Sequence, residues 1–203
     1  GFVCIALMDE NCSHASLPDG IADDIIRGMY RYDALGESQA PCVRLLGSGT
    51  ILKQVIQAAH LITEHFEVRC EIYSVTSFSE LARDAQTAQR ASRLSSTSTR
   101  SQVAKHLDGS DPIVCATDYV RSVPSQISPY VAAPFFVLGT DGFGRSANRQ
   151  ALREFFEVNA AHIAFTAITS LIDTGHLPTE SWQRAQELFE TQSVISQPAP
   201  WNQ

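Results

Sequence analysis

Cys42-Val-Arg-Leu-Leu-Gly-Ser-Gly-Thr-Ile-Leu-Lys-Gln-Val-Ile-Gln-Ala-Ala-His-Leu-Ile-Thr-Glu-His65 decides the fold. A short apolar run at residues 43–46 breaks on Gly47-Ser-Gly-Thr50. Apolar residues then recur at mixed three- and four-residue steps through Ile51, Leu52, Val55, Ile56, Ala59, Leu61 and Ile62. The reading is a strand, a glycine turn and an amphipathic helix over 50–65. The next apolar run, residues 68–75, is a second strand. Ser77 with Glu80 three residues on is a capping box that opens a helix over 77–89. Strands follow at 113–116 and 135–138, with a helix over 118–130 that holds Pro124 between them. Strands alternating with helices imply a parallel sheet with crossover helices.

Working outward, helices are expected at 148–157, 160–174 and 179–192. The second is almost wholly apolar and therefore buried, with Gly175 as its stop and Pro178 as a restart. On the amino-terminal side, residues 2–8 read as a strand and 9–20 as a polar loop closed by Pro-Asp-Gly. Residues 21–30 read as one or two helical turns. Asp33 to Pro41, poor in large apolar groups, reads as a linker and the place of a domain boundary. Residues 91–101, Ala-Ser-Arg-Leu-Ser-Ser-Thr-Ser-Thr-Arg-Ser, are rich in hydroxyls that compete with backbone pairing, and an exposed, mobile loop is expected there.

A length of 203 residues, 44% hydrophobic and 18% charged, suits one α/β domain with some extra chain and excludes wholesale disorder or a fibrous repeat. The net charge of −7 disfavours phosphate backbones and anionic lipid as partners. Cys4, Cys12, Cys42, Cys70 and Cys115 are odd in number, widely spread and without a CxxC pair, so they read as reduced, mostly buried thiols of a cytoplasmic protein. No uninterrupted apolar run approaches the ~20 residues that span a bilayer. The apolar start has no basic lead-in or small-residue cleavage site, which speaks against a signal peptide.

Two glycine turns are the candidates for chemistry. At Gly47, Ser48, Gly49 and Thr50 the turn aims backbone N–H groups at a helix N-terminus, where a small anion is favoured. It lacks the GK[ST] of a P-loop and the spacing of a dinucleotide fingerprint, so a tight turn serving packing is the stronger reading. Gly139-Thr-Asp-Gly-Phe-Gly-Arg-Ser146 follows the last strand and puts Asp141, Gly142, Phe143, Gly144 and Arg145 at a sheet's carboxyl edge, where open α/β sheets bind ligands. No acid, base or nucleophile is spaced with them, which again favours a turn or contact loop over a site. Six histidines form no HxH or HExxH pattern, and no GxSxG elbow occurs. From the residues alone there is no catalytic, cofactor-binding or metal constellation.

Several runs, however, carry a resemblance: Leu45-Leu-Gly-Ser-Gly-Thr-Ile-Leu52; Tyr73-Ser-Val-Thr-Ser-Phe78 with Glu80, Leu81, Arg83 and Asp84; Ala116-Thr-Asp-Tyr119; and Val137-Leu-Gly-Thr-Asp-Gly-Phe-Gly-Arg-Ser146 with Phe155-Phe-Glu-Val158. Together they resemble the C-terminal domain of the homodimeric bacterial pyruvate dehydrogenase decarboxylase components, in the transketolase superfamily. The likeness runs over about residues 2–175. Leu7-Met-Asp-Glu-Asn11, Leu17-Pro-Asp-Gly20 and Ile26-Arg-Gly-Met-Tyr30 look like the end of that enzyme's pyrimidine-binding domain and its connector.

The resemblance implies a three-layer α/β/α domain on a mixed, mostly parallel five-stranded sheet at residues 37–203, preceded by a domain tail and connector at 1–36. It implies a structural and dimer-interface role in a thiamine-diphosphate- and magnesium-dependent enzyme that decarboxylates pyruvate and acetylates the lipoyl group of a dihydrolipoyl acetyltransferase. The cofactor is held by other domains of the subunit, and none is expected on this chain, which alone is expected to be inactive. The expected partners are the remaining domains, a second copy and the acetyltransferase. The plain segment after Arg90 departs from the family's Trp-, His- and Pro-bearing continuation, which leaves 2-oxobutyrate or another 2-oxo acid open as substrate. The alternative is a free-standing, non-catalytic α/β module that binds a partner subunit or a small anion.

Overall fold

The computed structural model describes residues 20–95, 98–189 and 199–200. The strand expected at residues 2–8 lies outside them, as do Cys4 and Cys12. Five strands form one sheet in the order β1-β3-β2-β4-β5: β1 (Met29–Leu35), β2 (Cys42–Ser48), β3 (Arg69–Val75), β4 (Ile113–Ala116) and β5 (Phe135–Leu138). β2 pairs in parallel with β3 and β4, and β4 with β5, while β1 runs antiparallel along β3. The sheet is thus mixed and mostly parallel.

Side-chain alternation splits the apolar residues of each strand between two cores. Val43, Leu45, Cys70, Ile72, Val114 and Ala116 face one, with α2 (Ile51–His65), α7 (Ala160–Asp173) and α8 (Ser181–Leu188) packed on them. Leu46, Tyr73, Val75, Ile113 and Cys115 face the other, with α3 (Phe78–Leu94) and α4 (Gln102–His106). The outcome is a helix layer on each face of the sheet. In α2 the buried positions Ile51, Val55, Ala58, Ala59 and Ile62 follow the helical repeat seen in the sequence.

α7 is apolar because it is interior: Ile163, Ala164, Ala167, Ile168 and Leu171 are buried. The run 149–173 is long and apolar enough by composition to cross a bilayer, and more than half of its window is buried in the fold. It is also broken. α6 (Arg149–Phe155) ends before Glu157, which sits at φ 58°, and Asn159 then caps α7 through its side chain.

Four expectations are corrected. Residues 29–35, read partly as helical turns and partly as linker, are an edge strand. β1 buries only Met29 fully and carries Arg31 and Asp33, so its composition hides the pairing with β3. The turns before it shrink to α1 (Ala22–Ile26). Residues 118–130 are not one helix but α5 (Ser122–Ser125) and a one-turn 3-10 helix (Ser128–Tyr130). Pro124 and Pro129 each lack an N–H for helix continuation. The hydroxyl-rich stretch is not all loop, since α3 extends to Leu94 and Ser101 caps α4 by accepting from the Ala104 N–H.

Ser77 does cap α3, accepting from the Glu80 N–H at 3.2 Å. The return half of the box is absent: the Ser77 N–H goes to Gly28 O, and Glu80 pairs with Arg83. Gly175 ends α7 in the left-handed region at φ 74°.

At Gly47 the β2 backbone lies so close to α2 that an added Cβ would stand 2.7 Å from Leu52 Cα. Gly47→Ala is therefore expected to lower the stability of the domain by ~1–3 kcal/mol through forced separation of helix and strand. The shift is read as a lower denaturant midpoint at unchanged slope; an unchanged midpoint would refute the close approach.

Candidate functional site

Strands β2, β3, β4 and β5 point the same way, so the loops that follow them gather on one edge of the sheet. The crossover from β2 leads through α2 to β3 on one side, whereas β4 leads to β5 on the other. The point where connections diverge, between β2 and β4, is where open α/β sheets form a crevice. Here it is closed by a hydroxyl pair: Ser48 Oγ and Thr117 Oγ1 lie 2.7 Å apart and buried. Thr117 Oγ1 also accepts from the Tyr119 N–H at 3.2 Å, and the Thr117 N–H donates to Leu138 O at 3.1 Å. One threonine thus joins the ends of β2, β4 and β5.

The two glycine turns named from the sequence meet on this edge. Gly49 adopts φ 55°, and the Asp118 carboxylate oxygens lie 3.7 and 3.8 Å from where its Cβ would be. Thr50, the residue before α2, makes no side-chain cap. The Asp118 carboxylate therefore stands beside the uncapped start of a fifteen-residue helix, where the dipole favours negative charge. An anion brought to residues 47–50 would meet that carboxylate.

In the second turn, Gly139 leaves no room for a side chain, because a Cβ would stand 2.8 Å from Tyr119 O. Thr140 donates its N–H to Tyr119 O at 2.9 Å and its hydroxyl to Asp118 O at 2.8 Å. Asp141 accepts from the Arg121 N–H at 3.0 Å and pairs with the Arg121 guanidinium. Arg145 lies over the Phe155 ring, 4.1 Å from its centroid. Between Gly142 and Gly144, Phe143 is left exposed.

What joins the two turns is the loop 117–121 after β4. Its Thr117, Asp118 and Arg121 were not singled out for chemistry in the sequence, although their place just after a parallel strand was the available signal. Burial raises the Glu157 carboxyl, with the charge of Arg121 opposing.

At the opposite edge Glu71 gathers Arg31, Arg44, Arg69 and the Tyr73 hydroxyl at 3.3, 3.4, 2.7 and 3.1 Å, and Arg44 also reaches Asp111 at 3.0 Å. Burial, then the neighbouring Glu71 charge, pushes the Tyr73 phenol up to about 12. Burial pushes the Cys42 thiol up to about 11 and raises Cys70 and Cys115 as well, so these three free thiols are poor nucleophiles.

Burial lowers His162, whose Nδ1 lies 2.7 Å from Asn159 Oδ1 while Nε2 has no partner. Burial also lowers His106, against the opposing pull of Asp24. Among the described residues no three His, Cys, Asp or Glu side chains are placed to hold a metal ion. With Asp118 beside the α2 terminus and no such cluster, the described residues do not suit a diphosphate with its divalent cation. The arrangement ties loops together and offers no paired acid, base or nucleophile.

Residues 28–159 match the family model of the transketolase-like TK C-terminal domain. The chain is 42% identical over 84% of its length to the pyruvate dehydrogenase E1 component of Cupriavidus necator, and 38% identical over 85% to that of Escherichia coli K12. It spans about a fifth of the length of each of these relatives. Among solved structures, transketolase from Leishmania mexicana superposes on 81% of this chain and 22% of its own, with a TM-score of 0.51 at 20% identity, a likeness of fold.

Two outcomes follow from this geometry. Inorganic phosphate at about ten times a weak millimolar dissociation constant is expected to leave the melting temperature unchanged, whereas occupancy of residues 47–50 would raise stability by ~1.4 kcal/mol. In acid, the unfolded histidines take up protons near pH ~6.5 that folded His106 and His162 resist. Stability therefore falls as pH drops through that value, and a His106→Gln/His162→Gln variant flattens the slope. An equal slope in the variant would exclude both groups.

Proposed function

The chain belongs to the transketolase-like TK C-terminal domain family, and from that premise we propose that it is the C-terminal, non-catalytic domain of a thiamine-diphosphate-dependent pyruvate dehydrogenase decarboxylase component. The observation that carries the reading is the pairing of close likeness with short coverage. Identity near 40% extends over more than four-fifths of this chain yet reaches only a fifth of each relative.

The full subunit would decarboxylate pyruvate on the thiazolium carbon and pass the acetyl unit to a lipoyl group of the acetyltransferase. Thiamine diphosphate and magnesium would be held by the preceding domains, and two copies of the subunit would form the active dimer. The contribution of this chain is architectural. Its sheet ends in loops fixed to one another by Ser48, Thr117, Thr140 and the Arg121–Asp141 pair, a stiff surface suited to packing rather than turnover.

An antibody raised to the 203-residue chain tests this in fresh source extract. A band several times larger than 22.2 kDa, co-fractionating with thiamine-dependent release of carbon dioxide from pyruvate, is expected. A band near 22 kDa without that activity would replace the reading with that of a free-standing module.

A further inference from the structure

We propose that Gln102 is the toggle of an acid-sensitive latch: its side-chain amide holds α1 to the domain while His106 is neutral, and lets α1 go when the imidazole takes up a proton. All the parts lie within this chain, so the device stands independently of the enzyme assignment.

α1 depends on polar ties because none of its five residues is buried. Among the described residues, side-chain hydrogen bonds hold it at two points. The Thr76 hydroxyl donates to Ile25 O at 2.6 Å, and the Gln102 amide donates to Asp24 Oδ1 at 2.8 Å. Gln102 is 1% exposed and fixed in the first turn of α4, where its backbone N–H donates to Asp84 Oδ2 at 2.6 Å. Its amide nitrogen carries two hydrogens and has three acceptors around it: Asp24 Oδ1, Met29 O at 3.2 Å and His106 Nε2 at 3.0 Å. The buried amide oxygen has no partner among the described residues. Such an arrangement requires a neutral imidazole whose Nε2 accepts.

Protonation turns Nε2 into a donor facing the amide's own donor at 3.0 Å. Asp24 Oδ2, the carboxylate oxygen on that side, stands 3.8 Å from Nε2, beyond hydrogen-bond reach. Turning the amide over puts the unpartnered Oε1 where the nitrogen was. That oxygen then accepts from the imidazolium, but it also faces Asp24 Oδ1 and Met29 O, two acceptors. The amide can therefore serve α1 or the imidazolium, and a proton on His106 deprives α1 of its donor.

The groups around the ring set the direction. Burial lowers His106, Asp24 opposes, and Lys105 on the same helix lowers it further. From β3, Tyr73 lies edge-on to the ring at 5.9 Å between centroids and donates toward Glu71 and His106 O; its phenol is pushed up to about 12 and stays neutral. Arg31 of β1 is held at Glu71, and Asp84 of α3 is engaged by the Gln102 N–H. The latched state thus resists the proton, whereas a ring freed into water accepts it near pH ~6.5. Release is favoured as pH falls through that value, by up to ~10-fold per unit until the latched ring is itself protonated.

Hydrogen exchange in the natural polypeptide that contains this sequence tests the latch. Mass spectrometry follows the peptide over residues 20–28 at pH ~7.5 and ~5.5, corrected for intrinsic exchange rates. Its reporters are the N–H groups of Ile25, Arg27 and Gly28, which donate to Ile21 O, Asp23 O and Ile25 O. A peptide from α7 reports global unfolding. Protection of residues 20–28 is expected to fall ~3-fold or more at the lower pH while α7 is unchanged. His106→Gln, uncharged at both pH values, is expected to abolish the fall. Asp24→Ala, at a partly exposed position, is expected to leave protection low at both. Constant protection in the parent, an equal fall in His106→Gln, a fall shared by α7, or full protection of Asp24→Ala at the higher pH would each overturn the proposal.

Discussion

Everything on the carboxyl edge depends on the contact between β2 and α2 at Gly47. With a hydrogen in place of a side chain, the helix settles directly on the strand end, and an added Cβ would stand 2.7 Å from Leu52 Cα. That closeness fixes where α2 begins and brings Ser48 to Thr117. Thr117 in turn holds Tyr119 and the end of β5, and Tyr119 O and Asp118 O hold Thr140. A chain of short contacts thus runs from one glycine to the tip of the last loop. A shift at its origin would be felt at Phe143, because close-packed interiors transmit displacement rather than absorb it.

This edge has the form of a ligand crevice and the content of a scaffold. Diverging connections open a cleft between β2 and β4, but the space holds the protein's own groups: a hydroxyl pair, the Asp118 carboxylate at the helix start, and Tyr119 O against Gly139. Ser48 Oγ is paired with Thr117 Oγ1, and Thr140 with Asp118 O and Tyr119 O. Topology therefore locates a possible site without filling it with chemistry, and the residues decide between catalysis and packing.

The elements that could be read from the sequence were those with one buried stripe or two buried faces. α2 and α7 announce themselves by period, and β2, β3, β4 and β5 by short apolar runs. β1 could not be read, because an edge strand with one face in water and Arg31 and Asp33 along it has no composition to distinguish it from a linker. Its identity lies in hydrogen bonds to β3, some forty residues away. The split of 118–130 was legible in Pro124 and Pro129 taken together, but the apolar residues around them, Val123 and Ile127, favoured a single helix. At the site, Gly47 to Thr50 and Asp141 to Arg145 could be located because glycine marks turns. That they share an edge, and that Asp118 and Arg121 tie them together, needed the strand order, which no local pattern encodes.

The antiparallel placement of β1 has a consequence for anyone who divides this polypeptide. A fragment begun at residue 37, where composition alone suggests a cut, would discard the strand that covers the outer side of β3. The free N–H and C=O groups from Arg69 to Val75 would then face water beside Cys70, Ile72 and Tyr73, a ready template for pairing with a second such edge. Such a fragment would be expected to self-associate during expression and to yield inclusion bodies. One begun before α1 keeps the sheet closed on that side and is the better starting point for crystallisation.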